Sequence, residues 1–108
     1  MSLPRALTPH TVRVEDKTGD GGWGASFADP RTVRRCRVED RPTLVRDASG
    51  QEVVSSTRVF LRPEDGPVPV GSRVTVRPGA PDERTAVVLS AAHHHTPPAP
   101  EHYELALT

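Results

Sequence analysis

The sequence predicts an all-β protein, a small β-barrel or sandwich of six to seven short strands with long loops. Three observations predict it. Apolar residues recur with a spacing of two in several short runs, and such alternation sets one face of a strand against a core. Twelve Pro and eight Gly punctuate the chain between those runs. No stretch sustains the three-to-four spacing of an amphipathic helix.

Taken in order, residues 1–10 hold Pro4 and Pro9 and read as an extended N-terminal segment, with a single β domain over residues 11–108. Thr11-Val12-Arg13-Val14-Glu15 alternates as a half-buried strand should. From Asp16 to Pro30, Gly19, Gly21, Gly22 and Gly24 surround Trp23. That stretch reads as a long flexible loop with one aromatic, and loops of this length in a compact domain are more often functional than idle. Thr32 to Glu39 is the next strand, with Val33, Arg35 and Arg37 on one face. Cys36 and Val38 lie on the other and are expected to face the core.

Asp47-Ala48-Ser49-Gly50 is a turn signal between two β runs, so Thr43–Arg46 and Gln51–Arg62 form a hairpin. Its second arm places Val53, Ser55, Thr57, Val59 and Leu61 on one face and Val54, Ser56, Arg58 and Phe60 on the other. Apolar residues on both faces predict a strand covered on both sides for part of its length. Pro63 to Val70 is a connector. Gly71–Arg77 and Arg84–Ser90 are further strands around a Pro-Gly turn. Pro97-Pro98-Ala99-Pro100 breaks structure before a last strand, His102–Leu107, with Tyr103, Leu105 and Leu107 on one side.

The core this allows is thin. Hydrophobic residues make up 34% of the 108 residues, and the large core formers are mainly Val, with no Ile and only four aromatics. A domain of this size buries roughly 60–70% of its unfolded surface. Assembly with other chains is therefore an expected source of stability. Fourteen basic and fourteen acidic residues interleave to a net charge of +0. A protein that grips phosphates shows a clustered positive field instead. No segment approaches the ~20 apolar residues of a membrane helix, and Met1–His10 lacks the apolar stretch of a signal peptide. Synthesis in the cytoplasm with no membrane partner is the expectation.

No arrangement of catalytic side chains is legible, and no enzymatic activity is expected. Ser55, Ser56 and Thr57 are strand residues whose hydroxyls pair across a sheet, with no nucleophile-elbow pattern around them. Cys36 is the single cysteine, which excludes an intrachain disulfide and a multi-thiolate zinc site; it reads as a core residue. His93-His94-His95, with His102 nearby, are imidazoles of the kind Zn²⁺ and Ni²⁺ favour. No carboxylate or thiolate at ligand spacing completes that set, so the segment reads as the start of a solvated loop, with no metal and no cofactor. Trp23 has two readings, a cap on the barrel or an exposed anchor for a partner.

Several segments in order resemble a known family. They are Val12-Arg13-Val14, the Gly-rich stretch, Val33 to Glu39, and above all Leu44-Val45-Arg46-Asp47 with Gly50-Gln51-Glu52-Val53-Val54-Ser55-Ser56. Val59-Phe60, Pro69 to Thr75 and the ending His102 to Leu107 follow. Together they resemble the head-completion proteins (stopper, or head-closure, the head-to-tail connectors) of long-tailed bacteriophages, closest to versions from phages of high-GC actinobacterial hosts. The turn after Arg77 and the His- and Pro-rich segment before the last strand depart from the family pattern.

The resemblance implies a virion protein at the head-tail interface. It implies a ring, expected to be a hexamer, between portal or adaptor proteins and the tail terminator or tail tube. Double-stranded DNA passes through, and a loop closes the channel after packaging. The Arg41–Gln51 hairpin tip, with Arg41, Arg46, Asp47 and Ser49, is the candidate gate, with the equally long loop Asp16–Pro30 as the alternative; Asp20, Trp23 and Phe27 on that Gly-rich loop are candidate partner contacts. The other readings are a different neck or tail component, such as a tail terminator or adaptor-like part, and a small β-barrel nucleic-acid binder.

Overall fold

Alternating Val, Thr and Leu residues build almost the whole molecule, because each strand turns one face into a shared interior. A computed structural model describes residues 9–22 and 24–108. Its strands are β1 (His10–Glu15), β2 (Lys17–Gly21), β3 (Gly24–Phe27), β4 (Arg31–Arg46), β5 (Glu52–Leu61), β6 (Arg73–Val76), β7 (Arg84–His94) and β8 (His102–Leu107). Six of them close an antiparallel barrel in the order β1-β4-β5-β8-β7-β6, while β2 and β3 form a separate two-stranded sheet. The barrel closes because β1 pairs along both edges, with β4 on one side and with β6 on the other.

The interior is aliphatic and narrow. Val12 and Val14 of β1 meet Val59 and Leu61 of β5, Val74 and Val76 of β6, Ala86 and Val88 of β7, and Leu105 and Leu107 of β8. Val68 enters from the connector between β5 and β6, and Tyr103 and Val38 pack against the edge of this cluster. Each large aliphatic side chain contributes about 1.5–3 kcal/mol on burial. With so few of them, every one matters.

Three irregularities set which residues face inward. In β4 the register against β1 slips between Thr11, opposite Arg34, and His10, opposite Cys36. Arg35 is the extra residue and takes φ of 60°. This bulge turns both Val33 and Cys36 to the core, three residues apart, which strict alternation excludes. The expectation that Val33 shares a face with Arg35 and Arg37, away from Cys36, is therefore corrected. A second slip follows Asp40, where Arg41 and Pro42 bulge before pairing resumes at Thr43 with Ser55. Pro needs no ladder hydrogen bond at a bulge, so β4 runs on as one 16-residue strand rather than two. A third slip lies between Val88 and Ser90 of β7.

Two other expectations change. The stretch from Asp16 to Pro30 contains the β2–β3 hairpin rather than a flexible loop, with its base tied by a hydrogen bond from the Ala28 amide to the Asp16 carbonyl (2.8 Å). β7 extends past Ser90 to His94, so His93 and His94 lie in the sheet and not at a loop start. Residues 1–8 of the expected N-terminal segment lie outside the described residues, and His10 already belongs to β1.

Cys36 is fully buried, with its sulfur 3.4 Å from the His10 carbonyl oxygen. Burial, with the nearby Asp65 charge adding to it, pushes the thiol up to about 12. The thiol should therefore not react with an aromatic disulfide reagent at neutral pH until the chain unfolds. The raised value leaves stability intact below the ordinary thiol range and erodes it as pH climbs from about 9 towards about 12, because only the unfolded chain ionises there. Urea titrations across that window check the sign. Leu105→Ala, in the core, should cost about 2–5 kcal/mol in the same assay.

Candidate partner-binding surfaces

Strand pairing beyond the barrel wall creates an arm. The ladder between β5 and β8 covers Thr57 to Leu61, and that between β1 and β4 covers Arg31 to Cys36. Beyond the Arg41-Pro42 bulge, Thr43–Arg46 and Glu52–Ser55 pair with each other. The root of this arm is polar and tied in many directions. The Ser55 hydroxyl lies 2.9 Å from the Leu107 carbonyl and 3.0 Å from that of Thr57. Thr57 donates its hydroxyl to Asp40 (2.8 Å), and Asp40 also accepts from the Arg77 guanidinium (2.8 Å). Arg84 donates to the Thr57 hydroxyl (2.7 Å) and to the Thr108 backbone oxygen (2.8 Å). Networks of this kind fix direction as well as position. The hydroxyls read from the sequence as cross-sheet partners do pair across the sheet, to β8 and to Asp40 on β4.

The tip is organised by one carboxylate. Asp47 Oδ1 accepts from the Ser49 amide (2.9 Å), the Ser49 hydroxyl (2.7 Å) and the Gln51 amide (3.0 Å). Gly50 takes φ of 84°, a conformation that other residues adopt only with strain, and its amide donates to the Asp47 carbonyl. Arg46 donates to the Gly50 carbonyl (2.9 Å). Arg46, Asp47 and Ser49 are thus brought together, with Asp47 and Ser49 occupied in shaping the turn. Arg41 stands apart from them, exposed at the bulge, where its carbonyl accepts from the Thr43 hydroxyl. Of the four residues expected at the gate, Arg41 marks the root of the arm and the other three its end.

The feature that sequence reasoning missed lies between them. Leu44 and Val54 are direct cross-strand partners and are 66% and 62% exposed. Two-sided apolar patterning in β5 predicted a strand covered on both faces for part of its length, and Val54 lies where, among the described residues, the outer face is open. The signal was present in the alternation itself; only the covering element is absent among the described residues.

The β2–β3 hairpin is the second surface. Asp20 is exposed and pairs with Lys17 (2.8 Å). Phe27 is half-buried beneath the Arg73 guanidinium, 3.8 Å from the ring centroid, a cation–π contact within the chain. Phe27 is therefore a brace between hairpin and barrel rather than a free anchor. Trp23 lies outside the described residues. Asp16 holds the hairpin base through two hydrogen bonds from Arg31 (2.7 and 3.2 Å), and Arg31 also reaches the Asp65 carbonyl (2.7 Å).

Comparison with protein-family models, with characterised proteins and with solved structures returns no match for this chain.

Because the Ser49 hydroxyl and the turn amides all favour the charged form, the Asp47 carboxyl sits below its ordinary range. A lowered value contributes order to the tip above the unfolded carboxylate range, and that order is lost as pH falls through the lowered value. Ser49 and Gln51 amide protons should keep hydrogen-bonded chemical shifts at neutral pH and move towards random-coil values in acid. Asp47→Ala should show the random-coil shifts at neutral pH, with the melting of the barrel unchanged.

Proposed function

We propose that this protein is a structural component of a long-tailed phage virion, a head-to-tail stopper that assembles as a ring and closes the DNA channel after packaging. The observation that carries this reading is the arm: a two-stranded extension of the barrel, tied at root and tip, with the Leu44–Val54 pair open to a partner. Leu44 and Val54 are the most exposed of the described large hydrophobic residues, ahead of Val70 and Val87, and an adjacent apolar pair is suitable material for a subunit contact. The order of sequence segments supports the same family, and the barrel is of the kind the resemblance implies.

The ring follows from elementary requirements. Among the described residues the six barrel strands close on one another, so lateral strand addition is left to the stretches that overrun the wall: the flanks of the arm, the β2–β3 hairpin and the far end of the β7–β8 ladder. A heterologous contact of one arm on the next barrel closes into a ring when the rotation permits. The channel must let DNA pass without holding it, and each phosphate neutralised adds salt-dependent affinity. Balanced charge suits this: at the tip, Arg46 stands beside Asp47 and 3.9 Å from Glu52. Portal or adaptor proteins would lie on the head side and tail terminator or tube proteins on the tail side. In this reading the protein performs no catalysis and needs no cofactor.

A reconstruction of the particle, with this chain located by a bound antibody fragment, tests the reading. Density at the head–tail joint is the expected result, and density confined to the capsid or along the tail sinks it. Leu44→Glu with Val54→Glu should leave the barrel folded by circular dichroism but give particles without tails. Deleting Asp47–Gly50 should give particles that fill and then leak DNA; normal retention of the genome would move the gate elsewhere.

A further inference from the structure

The far end of the β7–β8 ladder gathers a group of donors that the sequence disperses. His94 and His102 are cross-strand partners at the last rung. Glu104 lies two residues beyond His102, on the same face of β8. One ligand atom from each of the three lies within 4.8 Å of the other two. The two imidazoles stack with centroids 4.8 Å apart, and His94 Nε2 is 3.2 Å from Glu104 Oε1. The missing carboxylate of the histidine cluster is thus Glu104, brought in from the neighbouring strand.

Their surroundings already orient them. His102 Nδ1 lies 3.0 Å from the Pro100 carbonyl, a contact only a protonated Nδ1 can make, which leaves the Nε2 lone pair free. Arg58 holds Glu104 Oε2 at 2.8 Å, so Oε1 is the oxygen turned towards His94. A ligating histidine backed by a carbonyl, and a ligating carboxylate backed by a hydrogen bond, are the usual outer partners of a metal site. The opposite face has a different use for its residues. His93 stacks on Tyr103 at 4.5 Å and pairs with Glu101 at 2.6 Å, which holds the Glu101 carboxyl below its ordinary range.

We infer that His94, His102 and Glu104 form a binding site for a divalent transition-metal ion, with Zn²⁺ the best fit. Two imidazoles and one carboxylate suit Zn²⁺, Ni²⁺ or Cu²⁺ and exclude a dedicated Mg²⁺ or Ca²⁺ cage, which needs oxygen donors throughout. Bonds of about 2.0–2.2 Å require small shifts of the three side chains about the ion. His94 has the freedom to make them, since its side chain is 48% exposed. Three protein ligands leave a fourth position for water or for a donor from a neighbouring molecule. The ion would clasp the ends of β7 and β8 across the Pro-rich turn between them. This site is independent of the virion reading.

Titration of the full chain with Zn²⁺ against a chromophoric chelator tests it. One ion per chain, bound at micromolar concentration, is the expected result. His94→Ala and His102→Ala should each weaken binding by about ten-fold or more, while His93→Ala with His95→Ala should stay within about two-fold. Far-UV circular dichroism checks that each variant is folded, and His94→Asn serves if His94→Ala is not. Co²⁺ in place of Zn²⁺ should give the strong visible absorption of a four-coordinate site, a readout that needs no substitution. No binding by the unsubstituted chain, or a loss confined to the His93/His95 variant, overturns the inference.

Discussion

The double pairing of β1 underlies everything else in this molecule. A six-residue strand holds β4 along one edge and β6 along the other, and without it the sheet would be open, with β4 and β6 as exposed edges. Closure removes those edges and seals a core of small aliphatic residues from water. It also demands sharp curvature. Bulges at Arg35, at Arg41-Pro42 and near Leu89 bend the strands that carry it and, in the first case, decide which side chains reach the interior.

The arm is a by-product of the same geometry. β4 and β5 are longer than the barrel wall needs, and the second bulge releases their excess into a two-stranded extension. What keeps that extension stiff is local: an Asp47-centred turn at one end and the Asp40–Thr57–Arg84 network at the other. Between them the surface is apolar and open. In the proposed ring this arm is the element that would reach a neighbour, with Leu44 and Val54 as its apolar contact.

Much of the fold is legible in residue order alone. The alternation in Thr11–Glu15 and His102–Leu107 marks strands at nearly their observed limits, and Asp47 to Gly50 is the observed turn. Local chemistry decides such elements: period-two burial and a carboxylate that satisfies turn amides act over a few residues. The Gly-rich stretch misled because Gly19, Gly21, Gly24 and the polar residues among them have low strand propensity. There, pairing between β2 and β3 and the Arg73–Phe27 contact supplied what propensity did not.

The candidate sites divide along the same line. Residue type and short-range spacing were enough for the all-β class and for the hairpin and its tip, since each is settled within a short window. Contacts between distant segments settled the rest: that β1 closes the barrel, that Val33 joins Cys36 inside, that Leu44 and Val54 stay uncovered, and that Glu104 completes a group with His94 and His102. Those outcomes depend on register and bulges. One residue of slip there exchanges inside for outside, and no local pattern records it.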